Sequence, residues 1–138
     1  MDASPARIDV ARRHAQAESE GDLATTLATL EGEPVFELYP IGLQLRGMDN
    51  VRGYYEHFFA HVRPRMLGYA LRAEWVGELG LLQEYDVTCR VEGGNARAFR
   101  VVGILKSGDR LLSGERLYAS EEFLRILFGP LWARMEPL

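Results

Sequence analysis

The second half of the chain consists of strand-like segments separated by tight turns. Segments 69–78 and 81–91 flank Gly80, and the second of them alternates apolar and polar residues, which is the pattern of a sheet with two unlike faces. Segments 96–106 and 110–119 each follow a short turn that contains glycine. Strands joined by such turns pair with their neighbours in the antiparallel direction, so we expect an antiparallel meander here.

The first half of the chain is mainly helical. Apolar residues recur at helical spacing over residues 6–18, 23–31 and about 49–62. Asp22 directly precedes the second of these helices, where its carboxylate can accept hydrogen bonds from the free amides of the first turn, and we expect Asp49 or Met48 to cap the third. A short strand-like segment, 35–39, lies between the second and third helices and ends at a proline. The order of elements is therefore helices first and sheet after.

The fold class follows from this order. A short helix over 121–128, capped by Ser120, begins the C-terminal segment 121–138, whose apolar part, 127–132, we expect to cover the mouth of a pocket or a partner subunit. Neither a linker nor a repeat interrupts the chain, so we expect a single domain over residues 1–138 with its core at about 6–125. We predict an α+β cone in which N-terminal helices pack on a curved antiparallel sheet and enclose a pocket, because such a sheet cannot fill its own concave face.

Composition excludes several classes of partner. The net charge is -4, with acidic and basic residues interspersed, and such a surface does not attract nucleic acid. Cys89 is the one cysteine, so no internal disulfide can form. The segment Met1–Arg13 lacks the apolar stretch of a secretory signal, and no apolar run reaches the ~20 residues of a membrane helix. We expect a soluble cytoplasmic protein that binds neither nucleic acid nor a membrane.

Three motifs occur in an order and spacing that resemble one known superfamily. They are Glu20-Gly21-Asp22-Leu23, Arg46-Gly47-Met48-Asp49-Asn50-Val51, and Ser107-Gly108-Asp109-Arg110 followed by Gly114-Glu115-Arg116-Leu117-Tyr118. Together they resemble the SnoaL-like branch of the nuclear transport factor 2-like superfamily over about residues 6–125. That resemblance implies a cone-shaped fold, a small-molecule pocket and frequent dimerisation through the sheet. The superfamily includes polyketide cyclases, ketosteroid isomerase, limonene epoxide hydrolase and scytalone dehydratase, and also non-catalytic members.

Residues of this chain can be placed beside the catalytic positions of those enzymes. His14 falls where ketosteroid isomerase has its oxyanion-hole tyrosine, and Tyr39 falls where that enzyme has its general base. Asp86 matches one aspartate of limonene epoxide hydrolase, and Leu117 aligns with another. Glu115 lies near the acid that polyketide cyclases carry on the last long strand. The resemblance implies these residues as candidates, and each of the known catalytic sets is matched in part.

Two acidic residues on one strand are candidates for acid/base chemistry. Asp86 and Glu84 are two positions apart, so their side chains share a face of the sheet. If that face is concave, burial and mutual repulsion raise the pKa of one of them and create an acid/base pair. If it is the outer face, the two carboxylates form salt bridges with Arg90 and Arg100. The pattern leaves both interpretations open.

Two further candidates lie on core-facing positions. Glu115 alternates with Leu117 on the last strand, so it should face the core, where a carboxylate must be paired or protonated. The alternative for Glu115 is a structural salt bridge to Arg46 or Arg100. His14 lies next to the apolar stripe of the first helix, where a histidine is either a satisfied core residue or a polarising donor.

Aromatic residues and a pair of histidines complete the candidates. The predicted aromatic walls of a pocket for a flat ligand are Tyr39, Tyr55, Phe59 and Trp75. Aromatic residues also dominate ordinary cores, which is the alternative for these four. His57 and His61 have the spacing of metal ligands on a helix, but the sequence places no third ligand nearby, so we expect no metal site.

Two hypotheses about function follow. In the first, the protein is a cofactor-independent enzyme with an acid/base step of the cyclase, isomerase, dehydratase or hydrolase type, acting on an apolar or polycyclic metabolite. Asp86 or Glu115 would be the acid/base, His14 would polarise the substrate, and Glu84 and Leu117 would contact it. In the second, the same fold binds an apolar metabolite without turnover or serves as a dimeric adaptor. We expect a homodimer that buries about 1,200 Å² or more in either case.

Overall fold

In the computed structural model, which describes residues 5–138, four α-helices pack against a seven-stranded sheet. The first four residues, which the predicted domain includes, lie outside the described residues. The helices are α1 (Pro5–Glu20), α2 (Leu23–Ala28), α3 (Met48–His57) and α4 (Glu121–Phe128). The strands are β1 (Leu30–Tyr39), β2 (Leu43–Arg46), β3 (Met66–Gly77), β4 (Gly80–Arg90), β5 (Ala96–Ser107), β6 (Leu112–Tyr118) and β7 (Glu136–Pro137). The predicted α+β class is confirmed.

The sheet contains the predicted meander and one parallel pair that was not predicted. Strands β3, β4, β5 and β6 pair antiparallel in chain order. Strand β1 then lies parallel to β6, with Leu38 opposite Leu117, and β2 and β7 extend the sheet beyond it. A parallel pair requires a long crossover, which α3 and the meander supply between β1 and β6. The sheet is therefore mixed rather than wholly antiparallel, and it does not close, since β3 and β7 are its two edges.

Two of the helix starts are capped as the sequence predicts. The Oδ1 atom of Asp22 accepts a hydrogen bond of 3.0 Å from the amide of Thr25. The hydroxyl of Ser120 likewise accepts one of 3.3 Å from the amide of Phe123. Each cap satisfies one of the free amides in the first turn of a helix, so these two signals place the starts of α2 and α4 correctly.

Helix α3 differs from its prediction at both ends. We expected a cap from Asp49 or Met48, but the residue that precedes the helix is Gly47, which has no side chain to accept a hydrogen bond. Instead Glu33, from β1, accepts one of 3.1 Å from the amide of Met48. The regular helix ends at His57, and residues Phe58–Val62 continue it as a π-helical turn, a feature that periodicity alone does not predict.

A β-bulge in β3 decides which side chains face the helices. Leu71 pairs with Tyr85, whereas Ala73 pairs with Glu84, so Arg72 is an extra residue in β3. An inserted residue reverses the face to which the following side chains point, because side chains alternate along a strand. Tyr69 and Leu71, before the bulge, therefore face the helices, whereas Ala73 and Trp75, which would share their face in a regular strand, point to the opposite face.

The C-terminal segment packs within the chain. Phe128 is fully buried and stacks on Tyr54 with ring centroids 4.3 Å apart. The 3₁₀ helix Gly129–Arg134 that follows packs on α3 and brings the guanidinium of Arg125 to 4.4 Å above the ring of Trp132. The segment therefore covers α3 rather than the mouth of the cavity that is described below. Among residues 5–138, no helix is long and apolar enough to cross a membrane.

Candidate functional site

A cavity of about 910 Å³ lies between α1, the residues of α3 and its π-helical extension, and the concave face of the meander. The cavity is partly open to solvent, and α1 contributes one wall of it. Its apolar lining includes Phe58, Met66, Leu105, Leu117, Phe123 and Leu127. Polar residues, among them Arg12, Arg63, Glu74 and Gln83, also line it. A cavity of this volume that combines apolar walls with polar groups has the character of a small-molecule site.

The polar groups of the cavity converge on the hydroxyl of Tyr55. That oxygen lies 2.8 Å from Oε2 of Glu115 and 3.1 Å from Oε2 of Glu18. It also lies 3.0 Å from Nε2 of His14. Tyr55 and His14 are fully buried, whereas Glu115 is 7 % exposed and Glu18 is half-buried. Helix α1 supplies two of these four side chains, and α3 and β6 supply one each. We refer to His14, Glu18, Tyr55 and Glu115 as the polar cluster.

The orientation of His14 is fixed by Thr29, which is hydrogen-bonded to the Nδ1 atom of its ring. The hydroxyl of Thr29 lies 2.7 Å from Nδ1 of His14 and donates its own hydrogen to the carbonyl of Thr26, 2.6 Å away. A hydroxyl has one hydrogen, so Thr29 accepts at His14, and Nδ1 carries a proton. Nε2 is therefore the nitrogen that faces Tyr55 and the two carboxylates.

The polar cluster holds a proton on His14. Burial alone would lower the pKa of His14, but hydrogen bonds and charge from Glu115 and Glu18 outweigh it and raise the pKa from 6.5 to about 10. Nε2 lies 3.4 Å from Glu18 and 3.5 Å from Glu115. An imidazolium at neutral pH therefore lies between two carboxylates, and its two N–H groups donate to Thr29 and toward Tyr55.

The pKa of Glu115 is shifted in the direction that acid/base chemistry requires. Burial raises its pKa, and hydrogen bonds from His14 and Tyr55 offset part of that rise. Because the groups of the polar cluster interact strongly, they take up and release protons as a unit rather than singly. The prediction that Glu115 faces the pocket with a raised pKa and lies near His14 agrees with this geometry, and neither of its predicted salt bridges, to Arg46 or Arg100, is formed.

His14, Glu18 and Glu115 also have the spacing of metal ligands. Nε2 of His14 and one carboxylate oxygen from each of Glu18 and Glu115 lie within 4.8 Å of one another. The hydroxyl of Tyr55 is within hydrogen-bonding distance of all three atoms, so a hydrogen-bond network accounts for their spacing equally well. Helical spacing in the sequence points only to His57 and His61 as metal ligands, and it does not predict this group because Glu115 lies on a different element.

Asp86 and Glu84 lie outside the cavity. Both point to the convex face of the sheet, where Arg100 binds Oδ1 of Asp86 and lies 2.9 Å from Glu84. Arg72, the extra residue of the bulge, lies 2.6 Å from Asp86. Hydrogen bonds from Arg100 and then Arg72 lower the pKa of Asp86 to about 2. The expectation of a raised pKa at Asp86 is wrong, because the alternation of β4 turns Tyr85 and Val87 inward and these acids outward.

The predicted aromatic walls are wrong, because none of the four residues is among those that line the cavity. Trp75 is 56 % exposed on the convex face, because the bulge in β3 reverses its direction. Tyr39 is also outside the cavity, where it stacks on Tyr118 and donates a hydrogen bond to Glu37. Tyr55 and Phe59 stack on each other behind the cavity wall, with centroids 5.8 Å apart. Of the predicted substrate-contacting residues, Leu117 lines the cavity directly.

Several polar residues of the cavity are not predicted by the sequence, among them Glu18, Tyr54 and Tyr85. Glu18 lies four residues after His14 on α1, and the (i, i+4) spacing identifies it as a neighbour on the same helix face. Nothing in the local sequence of Tyr54 and Tyr85 distinguishes them from ordinary core tyrosines, since only the packing of the helices against the sheet brings them to one cavity.

The comparisons with known proteins define the fold. No family model matches the chain, and no curated protein matches it in sequence. An NTF2-like protein of unknown function from Burkholderia pseudomallei is 14 % identical, covers 91 % of this chain and 99 % of its own, and has a TM-score of 0.71. A second, from Cytophaga hutchinsonii, is 11 % identical over 83 % of this chain and 99 % of its own, with a TM-score of 0.68.

A designed protein has a similar fold. It is a de novo protein with a curved β-sheet, 16 % identical over 96 % of this chain and 99 % of its own, with a TM-score of 0.66. The chain therefore has the fold of nuclear transport factor 2-like proteins, an α+β cone. Since proteins of unknown function and a designed protein share this fold, the fold alone does not assign an activity.

Proposed function

We propose that the protein encloses an apolar small molecule in the cavity and transfers a proton to or from it without a cofactor. The reaction would be of the cyclase, isomerase, dehydratase or hydrolase type that the SnoaL-like resemblance implies. The observation that carries this proposal is the buried carboxylate of Glu115, which lines the cavity and is hydrogen-bonded to Tyr55 beside a charged His14. Polar groups that converge at one end of an apolar cavity are the arrangement that an acid/base enzyme needs.

Glu115 is the group that would exchange a proton with the ligand. A carboxyl group with a raised pKa is a better proton carrier near neutral pH than one at its ordinary value, because it holds and releases a proton over the working range. Tyr55 donates to one oxygen of Glu115, which leaves the other oxygen available to the cavity. Tyr55 is therefore a positioning residue that orients the carboxyl group.

His14 would stabilise negative charge that develops near Glu115. Its imidazolium lies 3.5 Å from the carboxylate and is kept charged by the two glutamates. A fixed positive charge in a buried site stabilises an anion more strongly than the same charge in water would. When Glu115 takes a proton from a ligand, His14 offsets the charge left on that ligand.

Turnover by purified protein tests this proposal. Apolar ketones, epoxides and alcohols would be incubated with the wild type and the products followed by mass spectrometry. We expect Glu115→Gln to abolish any conversion and to retain binding, because the amide keeps the shape and loses the exchangeable proton. Glu84→Gln is the matched control, since Glu84 lies on the convex face, and it should convert at the wild-type rate. Equal activity of Glu115→Gln and the wild type would refute the role of Glu115.

A non-catalytic binding protein is the second candidate. It is favoured by the completeness of the polar cluster, in which every hydrogen-bonding atom that is fully buried already has a partner among the described residues. Such a network can stabilise the fold without any reaction. Ligand binding that is equal in the wild type and in Glu115→Gln, with no conversion of any bound compound, is the result expected from this alternative.

Homodimerisation and a cytoplasmic location remain proposals. Large exposed apolar side chains concentrate on and after the edge strand β3, and they are Leu67, Tyr69, Leu71, Trp75, Val76 and Leu79. An edge strand with free backbone groups and apolar side chains is a pairing surface, so a second copy of the chain is the partner we propose. A mass of 15.6 kDa by light scattering at micromolar concentration would contradict the dimer. The lone, reduced Cys89 is consistent with the cytoplasm.

A further inference from the structure

Two tyrosine hydroxyls of the cavity have no hydrogen-bond partner among residues 5–138. Tyr54, from α3, is 4 % exposed, and Tyr85, from β4, is half-buried; both side chains line the cavity. Over residues 5–138, each fully buried polar side-chain atom has a hydrogen-bond partner. No hydrogen bond to another residue of this part of the chain reaches the hydroxyl of Tyr54 or Tyr85. These two oxygens therefore touch the cavity itself.

Both hydroxyls keep their protons and are able to donate them. Burial raises the pKa of Tyr54 and of Tyr85 well above 10, and the charges of Glu18 and Glu115 raise it further. Tyr54, Tyr85, Glu18 and Glu115 all line this one cavity. A donor that loses contact with water and makes no other hydrogen bond is costly, so a bound molecule that displaces water from the cavity avoids that cost only if it supplies an acceptor to these hydroxyls.

The cavity has room beside one of these hydroxyls. Gly103, on β5, lines the cavity next to Tyr85. A Cβ atom at position 103 would lie 3.9 Å from the hydroxyl oxygen of Tyr85 and 3.5 Å from Leu117, which are ordinary contacts. An alanine there would be tolerated by the fold and would occupy space that a ligand atom can occupy in the wild type.

The charge around the hydroxyls decides what kind of acceptor can bind. At the polar cluster, Glu18 and Glu115 together carry more negative charge than His14 offsets when both are ionised. The cationic lining residues Arg12 and Arg63 are bound instead to Glu74 and to the carbonyl of Ser19. A second anion beside them would be repelled, since like charges in a poorly solvated site interact strongly. A hydrocarbon, in contrast, would leave both hydroxyls without an acceptor. An uncharged oxygen avoids both costs.

We propose that Tyr54 and Tyr85 form a subsite for a neutral oxygen acceptor, so that the ligand is an apolar molecule bearing a carbonyl or ether oxygen. This inference rests on the proposed function in so far as the cavity receives an apolar small molecule. It adds the chemical class of that molecule and two specificity-determining residues. Two neutral hydrogen bonds formed in a buried site correspond to a preference of about tenfold or more over a ligand that lacks the oxygen.

Three compounds with the same bicyclic frame test the proposal. They are 1-tetralone, which has a ketone oxygen; tetralin, which has none; and 1,2,3,4-tetrahydro-1-naphthoate, which is an anion at pH 7. Dissociation constants would be measured by titration calorimetry or by ligand-observed NMR. For the wild type, we expect 1-tetralone to bind about tenfold more tightly than tetralin, and tetralin to bind more tightly than the carboxylate.

Tyrosine variants test whether the hydroxyls of Tyr54 and Tyr85 cause the preference for 1-tetralone over tetralin. We expect Tyr54→Phe and Tyr85→Phe each to weaken 1-tetralone and to leave tetralin unchanged, so that the double variant binds the two compounds equally. Tyr118→Phe is the matched control, because Tyr118 lies outside the cavity and stacks on Tyr39. Circular dichroism and melting curves verify the fold of each variant. Should a phenylalanine variant fail to fold, Gly103→Ala replaces it, and we expect it to weaken 1-tetralone more than tetralin.

The outcomes separate this inference from the proposed function. If tetralin and 1-tetralone bind the wild type with equal affinity, the oxygen subsite is refuted and the apolar cavity stands. The same holds if 1-tetralone keeps its preference in the double variant. If none of the three compounds binds at millimolar concentration, the apolar cavity itself is refuted, and with it the function that we propose.

Discussion

The hydroxyl of Tyr55 lies 2.8 Å from Oε2 of Glu115 and joins helix α3 to strand β6 at the polar end of the cavity. The two residues are 60 positions apart in the chain, so their contact exists only when the helical layer is correctly packed on the sheet. Because Tyr55 also contacts His14 and Glu18, one hydroxyl links three structural elements. The stability of the fold and the protonation of Glu115 should therefore depend on the same atom.

Replacing that hydroxyl should destabilise the fold. Tyr55→Phe retains the ring and leaves His14, Glu18 and Glu115 with an unmet hydrogen bond, so we expect a loss of about 1–3 kcal/mol in the free energy of unfolding, measured by urea denaturation. Tyr39→Phe is the control, since Tyr39 donates to Glu37 outside the cavity and its removal should cost no more than about 0.5 kcal/mol. Equal losses in the two variants would contradict a structural role for Tyr55.

The stability of the protein should decrease as the pH rises from neutral to alkaline. The pKa of His14 is raised to about 10 in the folded state from an ordinary 6.5, so the folded protein binds a proton that the unfolded chain releases between these values. This contribution is complete below pH 6.5 and is lost as the pH rises through about 10. The steepest loss for one proton is about 1.4 kcal/mol per pH unit.

Denaturation curves from pH 6 to pH 10 measure this dependence. In His14→Gln the alkaline slope should become markedly smaller, because the group that takes up the proton is absent. His61→Gln is the control, as His61 is exposed on the extension of α3, and it should keep the wild-type slope. The interpretation of the polar cluster is falsified if His14→Gln and the wild type show the same slope.

The sequence predicts those features that depend on local periodicity. The meander, the caps at Asp22 and Ser120 and the inward direction of Glu115 each follow from residues that are close in the chain. The alternation of Glu115 with the buried Leu117 is the clearest case, because a strand gives both side chains the same face. The predicted direction of Trp75 is wrong, because one inserted residue in β3 reverses the alternation on which the prediction depends.

The sequence does not predict contacts that depend on how the layers pack. The convergence of Tyr55, Glu18 and Glu115 requires the relative positions of α1, α3 and β6, and none of these positions is encoded in a local pattern. The parallel pairing of β1 with β6 is missed for a similar reason. A crossover of more than 70 residues joins their pairing positions, Leu38 and Leu117, and local turn signals carry no information about it.

A glycine at the parallel pair should be essential for the fold. Gly114 has a φ of +145°, and a Cβ atom at this position would lie 2.0 Å from the carbonyl oxygen of Val35 on β1. We expect Gly114→Ala to cost about 3 kcal/mol or more, or to prevent folding, because neither backbone can move without breaking the pairing beside Glu115. Gly68→Ala is the control, since its nearest neighbour would be 3.8 Å away, and its melting temperature should change little.

Asp86, on the convex face, should affect the stability of the fold at acidic pH and should not affect binding in the cavity. Arg100 and Arg72 lower the pKa of Asp86 from 3.8 to about 2, so its contribution is present above pH 3.8 and is lost as the pH falls through about 2. We expect Asp86→Asn to weaken the pH dependence of unfolding in this acidic range. Asp86→Asn should bind 1-tetralone with the same affinity as the wild type. A loss of binding would indicate that Asp86 contributes to the ligand site.

The salt bridge between Arg12 and Glu74 should control exchange of ligands with solvent. It joins α1 to β3 at 2.8 Å, and both residues line the cavity and remain partly exposed, so it lies where the cavity opens. An ion pair in this setting contributes about 0–1 kcal/mol, which corresponds to a change of up to about fivefold in a rate. Arg12→Gln should therefore accelerate both binding and release of 1-tetralone by that factor and leave the dissociation constant nearly unchanged, as measured by NMR exchange broadening.

Arg13→Gln, at the exposed neighbouring position, should leave both rates at the wild-type values. A large change in affinity in Arg12→Gln, with rates altered unequally, would mean that Arg12 contacts the bound molecule rather than the mouth of the cavity.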